Sequence, residues 1–412
     1  MLIGVYGISR VGKDHFISEI VAKSNANMKH ISGSYHLAVL AKEIYQKDFV
    51  LLNQEEKKLV REKFTSKVKL EENSYLVIFV DGHYSFPKED NDFEVVITQD
   101  DIDLYDVFIY LDKSSESIYS NSINDKKHFS KFLMNIENID KWKKFDKSGL
   151  KYVVESNNKK WIVINEFYDY SSQFFIDFFS NYEMFDTRKI INGIIDEIES
   201  CNNGKKKVVL LDCDKTLSVN DITISLINEM NYDKNILKKI FSGDDYTDYQ
   251  FYNLQKYITQ SGSYTNSIKN AIKNQEYNNK LLENLSSLKN TTKIALTTGV
   301  GDAWYEINKQ KHIFDFLVGK GLSKDYFNFY VTSKFKEEFT LALLVRGYTV
   351  TAVGDSIIDI GMLERADKGI LVSMLKLDKR IVEYFDKNPN SKITQFSNNL
   401  YKYSGVKEVN EI

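Results

Sequence analysis

Two aspartates spaced i, i+2 follow an apolar run, where Val208-Val-Leu-Leu211 leads into Asp212-Cys-Asp-Lys-Thr-Leu217. Far downstream, Thr349-Val-Thr-Ala-Val353 delivers Gly354-Asp-Ser-Ile-Ile-Asp359. Short apolar runs of this kind predict buried strands, and open α/β sheets bind ligands outside the carboxyl ends of their strands. Asp212, Asp214, Asp355 and Asp359 on one sheet edge would repel one another unless a hard divalent cation neutralised them. Oxygen donors suit magnesium. Between the two acidic motifs lie Ile294-Ala-Leu-Thr-Thr-Gly299, a strand ending in hydroxyls, and Lys336, which opens the helix before the last strand. At the other end of the chain Leu2–Tyr6 runs into Gly7-Ile-Ser-Arg-Val-Gly-Lys-Asp14 and an amphipathic helix. A glycine-rich turn between strand and helix can cradle phosphates with backbone N–H groups, with Lys13 as the countercharge.

The elements that must position these groups alternate between strand-like and helical patterns, as parallel α/β domains do. Leu2–Tyr6, Tyr75–Val80, Val107–Tyr110 and Trp161–Ile164 are expected strands of a first domain. Val208–Leu211, Lys293–Leu296, Phe329–Val331 and Val350–Val353 are expected strands of a second. The expected boundaries are 1–183 for the first domain, 184–204 for a linker helix and polar linker, and 205–412 for the second. The polar stretch Cys201–Lys207 is the linker candidate. Residues 218–290 read as helices placed between two core strands, the position of an inserted cap.

A chain of 412 residues is too long for one ordinary core. Its net charge of −3 supplies no global basic field for holding nucleic acid. Two cysteines, Cys201 and Cys213, make no disulfide framework, and a reducing cytoplasm is expected. No run is long enough for a membrane span, and the start of the chain carries no signal-type pattern. Arginine is scarce, confined to Arg10, Arg61, Arg188, Arg346, Arg365 and Arg380.

The order D-x-D-x-T, strand-T-G, Lys, G-D-x-x-x-D resembles the four motifs of haloacid dehalogenase (HAD) phosphatases. That resemblance implies a Rossmann-like domain in which Asp212 attacks phosphorus and Asp214 acts as acid and then base. Thr298 would bind the phosphoryl oxygens, with Thr297 as its alternative, and Lys336 would offset charge, with Lys334 as its alternative. Magnesium would be held by Asp212, Asp214 through its carbonyl, and Asp355, with Asp359 in support. The helical cap resembles that of phosphoserine-phosphatase-like members. Asp221 stands where that subgroup carries a glutamate, but no arginine lies between Arg188 and Arg346 to bind a substrate carboxylate.

Gly7-x-x-x-x-Gly12-Lys13 resembles the P-loop, with Asp14 where serine or threonine is usual, a "GKD" form found in some phage nucleotide kinases. The surrounding pattern is similar to adenylate-kinase-like folds. The resemblance implies ATP or another nucleoside triphosphate at Gly7, Gly12, Lys13 and Asp14, with Asp81 near the metal. It also implies an acceptor segment at His30–Gly33 and a lid carrying Lys126, Lys127 and Lys131 where arginines would be usual.

The expected architecture is α/β: two parallel-sheet three-layer domains, the first P-loop kinase-like and the second HAD-like with a helical cap. The expected activity is hydrolysis of a small phosphorylated metabolite or nucleotide, fused to an ATP-binding domain. Two alternatives stand beside it. One is nucleic-acid end healing of the polynucleotide kinase-phosphatase type, whose domain order this chain resembles. The other is a phosphatase regulated by a nucleotide-sensing domain. The large cap and acidic balance favour a small substrate over a polymer.

Overall fold

The structure, a computed structural model, describes the chain apart from residues 25, 89–91, 125–130, 166–169, 203, 244, 261 and 375–377. The chain divides into two compact units. Unit 1 comprises Met1–Ser180 together with Lys239–Gln250, and unit 2 comprises Asn181–Lys238 and Phe251–Ile412.

Unit 1 is built on five strands: β1 (Leu2–Tyr6), β2 (Met28–Ser32), β3 (Val77–Asp81), β4 (Val107–Leu111) and β5 (Lys160–Ile164). They pair in parallel in the order β2-β3-β1-β4-β5. Strands β1, β3 and β4 are buried along their whole length, as strands covered by helices on both faces must be. The register sets Val5 and Ser32 beside Asp81, so the loops after β1, β2 and β3 leave from one edge of the sheet. Helix Lys13–Lys23 follows the first of these loops directly. The outer strand β5 is covered by the returning segment: Thr247 Oγ1 accepts from the Val163 N–H at 3.2 Å, and Gln250 Nε2 donates to the Val163 carbonyl at 3.0 Å. Asn165 donates to the carbonyls of Lys239 and Ile240.

Unit 2 carries β6 (Lys207–Leu211), β7 (Thr291–Val300), β8 (Phe316–Lys320), β9 (Phe327–Asn328), β10 (Thr349–Gly354), β11 (Lys368–Leu371), β12 (Thr394–Phe396) and β13 (Glu408–Val409). The parallel sheet runs β9-β8-β7-β6-β10-β11-β12-β13. The cap insertion between β6 and β7 opens and closes at a short stem. There Ser218 bridges Tyr277, Val219 N–H donates to the Glu276 carbonyl, and Asn278 N–H donates to that of Leu217.

Three sequence expectations differ from the structure. Thr187–Cys201 is no linker helix: Ile191, Ile194, Ile195 and Ile198 are buried in the unit 2 core with Leu343, Tyr348 and Val350. Four apolar residues at that helical spacing need a partner surface. Phe329–Val331 is not a strand. The inner place beside β7 goes to β8, whose Leu317, Val318 and Gly319 are buried, and the outer pairing ends at Asn328. The expected cap is also divided, because Lys239–Gln250 belongs to unit 1. Of the expected lid, Lys126 and Lys127 lie outside the described residues, and Lys131 begins the turn Lys131–Met134.

Candidate active site

Parallel pairing of β6 with β7 and β10 brings the residues after Leu211, Ala295 and Val353 to one sheet edge. Asp212 leaves β6 at that edge, its N–H still bonded to the Val353 carbonyl at 2.8 Å. Lys336 arrives from the first turn of helix Ser333–Val345, which Thr332 caps by accepting from the Phe335 N–H. Its ammonium lies 2.5 Å from Asp212 Oδ1 and 2.6 Å from Asp359 Oδ1, and the side chain is 1% exposed. Lys334, by contrast, is half-exposed and pairs with Glu337 and Glu338.

Asp359 is fixed on its other oxygen, Oδ2, by three donors: Ser356 Oγ at 2.8 Å, Ser356 N–H at 3.0 Å and Asp355 N–H at 3.2 Å. Thr216 Oγ1 donates to Asp212 Oδ2 at 3.1 Å and lies 3.4 Å from Asp355 Oδ1. Oxygens of Asp212, Asp355 and Asp359 fall within 4.8 Å of one another. Burial pushes the Asp212 carboxyl up to about 6, with Lys336 opposing and Asp359 adding to the rise. Burial, then Asp212 and Asp359, push Asp355 well above the ordinary carboxylate range. Three clustered carboxylates outnumber the ammonium groups that act on them, Lys336 in contact with two and Lys215 acting on Asp355, and the donors are all oxygen. The group therefore fits a magnesium ion.

Asp214 faces a different environment. Its Oδ1 accepts from the Ile222 N–H at 2.8 Å, while burial and then Asp221 hold its carboxyl well above the usual range. A carboxyl whose protonated form is favoured in this way is suited to donate a proton. Gly299 makes this position possible, since a methyl group there would lie 2.2 Å from Asp214 Oδ2. Thr297 is buried, with its hydroxyl accepting from the Gly299 N–H, whereas Thr298 is half-buried. Asp221 caps helix Ile222–Glu229 and pairs with Lys215 at 3.3 Å.

In unit 1 the loop after β1 holds Gly7 at φ 141° and Gly12 at φ 93°, backbone that side-chain-bearing residues avoid. Lys13, 9% exposed, donates to the Gly7 carbonyl at 2.8 Å and lies 3.3 Å from His83 Nε2. Burial pushes the Lys13 ammonium down to about 8, with Asp81 opposing. Burial and the neighbouring Lys13 keep His83 neutral. Asp14, His30 and Asp81 present ligand atoms within 4.8 Å of one another, with His30 Nε2 2.9 Å from Asp81 Oδ2. His30 and His83 had no signal in the sequence beyond lying near the expected loops; only the fold assigns their partners.

No family model matches this chain, and no curated protein matches it. Among solved structures, part of this chain is similar to a HAD-family hydrolase of Salmonella enterica serovar Typhi. The match has 16% identity and TM-score 0.37 over 43% of this chain, and it spans 65% of that hydrolase, just under two thirds of its length. A substrate-bound phosphoserine phosphatase matches at 20% identity and TM-score 0.34, over 41% of this chain and 86% of the other. A chain of the Pnkp1/Rnl/Hen1 RNA repair complex is similar over 88% of this chain and 92% of its own, at 13% identity and TM-score 0.27. At these scores the likenesses carry nothing about chemistry, which rests on the side chains. Among the described residues no helix is long and apolar enough to cross a membrane.

Proposed function

We propose that unit 2 is a magnesium-dependent phosphomonoesterase working through an aspartyl-phosphate. The observation that carries this reading is the Lys336 ammonium held between Asp212 and Asp359, with Asp355 alongside and, two residues from the nucleophile, an Asp214 carboxyl that burial holds well above its ordinary range. An Asp212 oxygen attacks phosphorus while the bond to the leaving oxygen breaks, and Asp214 gives that oxygen its proton. Water then attacks the aspartyl-phosphate as Asp214 takes its proton, which releases inorganic phosphate and restores Asp212. Thr298 orients the phosphoryl oxygens, and Lys336 keeps Asp212 ionised and aimed. Magnesium bound by Asp212, Asp355, Asp359 and the Asp214 carbonyl would neutralise charge on nucleophile and phosphoryl group together.

Unit 1 is read as a nucleoside-triphosphate-binding module, with ATP at Gly7, Gly12 and Lys13 and a metal near Asp14 and Asp81. The left-handed glycines and the buried lysine support this. The substrate of unit 2 is a small phosphorylated metabolite or nucleotide, and the protein works in the cytoplasm. A second reading, nucleotide sensing without phosphoryl transfer, is favoured by a lid stretch free of arginine.

A panel of phosphomonoesters assayed with and without magnesium tests the phosphatase reading. Asp212→Asn is expected to fold as the parent does and to lose several orders of magnitude in turnover of an aryl phosphate. Turnover near that of the parent would end the reading.

A further inference from the structure

Asp81 ends β3 and Ser32 ends β2 beside it, so His30, two residues earlier, is the diagonal neighbour of Asp81 on the same face of the unit 1 sheet. Asp14 comes to them from the second residue of helix Lys13–Lys23. His30 Nε2 lies 2.9 Å from Asp81 Oδ2 and 3.8 Å from Asp14 Oδ1. The side chains grade from closed to open: Asp81 is 9% exposed, His30 23% and Asp14 80%. Two ligands each about 2.1 Å from one metal ion stand about 3.0 Å apart at a right angle and about 3.4 Å apart at the tetrahedral angle. The His30–Asp81 pair already has that spacing, and rotation of the exposed Asp14 side chain closes the remaining gap.

A hydrogen bond alone would also set the first of those distances, but it leaves the rest of the group unexplained. Among the described residues only His30 bonds to the Asp81 carboxylate, through Oδ2, and Oδ1 has no hydrogen-bond partner. A carboxylate this buried is costly to hold unless a cation or further donors satisfy it. The Lys13 ammonium, which acts on Asp81 from a distance, is turned instead to the Gly7 carbonyl at 2.8 Å, the Ile8 carbonyl at 3.5 Å and His83 Nε2 at 3.3 Å. A metal ion at the meeting point of Asp14, His30 and Asp81 would supply the missing charge. The imidazole then selects the ion. Magnesium takes oxygen donors, which the unit 2 cluster offers, whereas a ring nitrogen favours first-row transition metals.

We propose that Asp14, His30 and Asp81 form a site for a divalent first-row transition-metal ion, a different ion from the magnesium of unit 2. This deepens the reading of unit 1 above, which sets a metal near Asp14 and Asp81: His30 becomes the third ligand, and with it the kind of metal changes.

The test uses the full-length protein, stripped with EDTA and then kept in millimolar magnesium, which occupies sites built of oxygen alone. Cobalt(II) is the probe, followed by calorimetry and by proton NMR in water. One cobalt per chain is expected to bind. A paramagnetically shifted, exchangeable imidazole N–H resonance should appear with it, because such a signal comes from a histidine ring bound to the ion. His30→Gln should remove the resonance and weaken binding by at least about 10-fold, the lower end of the loss seen when a group that merely orients a ligand is removed. Asp14→Asn changes an exposed side chain and should weaken binding while keeping the resonance, so the site can be judged even if His30→Gln fails to fold. No cobalt bound above the magnesium background, no shifted imidazole resonance, or an affinity unchanged in either variant overturns the site. Calorimetry with ATP and magnesium separates this from the reading beneath it. ATP binding without cobalt binding overturns the metal site and leaves the nucleotide reading standing, and cobalt binding without ATP binding does the reverse.

Discussion

Replacing Lys336 by Met removes the ammonium that pairs with both Asp212 and Asp359 while keeping most of the side-chain volume. Asp359 should tolerate the change, because Ser356 Oγ and the Ser356 and Asp355 N–H groups still hold its Oδ2. Asp212 fares worse: it keeps the Thr216 hydroxyl and the Cys213 N–H, but no cation in contact. Removing one partner of a buried ion pair costs about 3–5 kcal/mol, because the other charge stays buried without compensation. Both pairs share one cation, so the two costs do not add, and a loss of about 4 kcal/mol is expected. That is a large part of the roughly 5–15 kcal/mol by which a domain is stable. The double variant Lys336→Met with Asp212→Asn removes the stranded charge too and should recover at least half of the loss. Urea titrations at pH 7.5 in EDTA, read as the unit 2 transition by circular dichroism, measure both quantities. A loss below about 1 kcal/mol in the single variant, or a double variant no more stable than the single, would refute the reasoning.

Two further predictions concern hydroxyls and a buried amine. Thr298→Val should lower kcat/KM for an aryl phosphate about 10- to 100-fold with little change in stability. Thr297→Val should instead lower stability by about 1–3 kcal/mol by stranding the Gly299 N–H, which a melting comparison separates from turnover. The Lys13 ammonium titrates near pH 8 in the fold and near its ordinary 10.5 when unfolded. Between those values the unfolded chain binds the extra proton, so stability should rise with pH by up to about 3 kcal/mol. Lys13→Met should remove that rise, and identical pH profiles for the two proteins would contradict the burial of its charge.

The motif residues of unit 2 were legible because each follows an apolar run that the sheet must bury. Asp212, Thr298 and Asp355 therefore had to emerge together once β6, β7 and β10 were adjacent and parallel. The choice between Lys336 and Lys334 was not legible, since both lie in the first turn of the same helix; the helix phase turns Lys336 inward and Lys334 to solvent. The isoleucines of Thr187–Cys201 did spell a buried stripe, but the polar residues after Cys201 drew the boundary to the wrong side of that helix. β11, β12 and β13 are two to four residues long and offered too little pattern to read.

The return of Lys239–Gln250 to unit 1 has a consequence for how the chain is made. Val163 waits for partners that are 84 and 87 residues later in the chain. At about 5–20 residues per second, the ribosome leaves that gap open for roughly 4–17 seconds. During that interval the outer backbone of β5 is an unpaired strand edge, the surface on which nascent chains stick to one another. Unit 1 comes first off the ribosome yet cannot finish first. Its completion depends on the chain passing into unit 2 and back, which ties the biogenesis of the two units together before either has met a ligand.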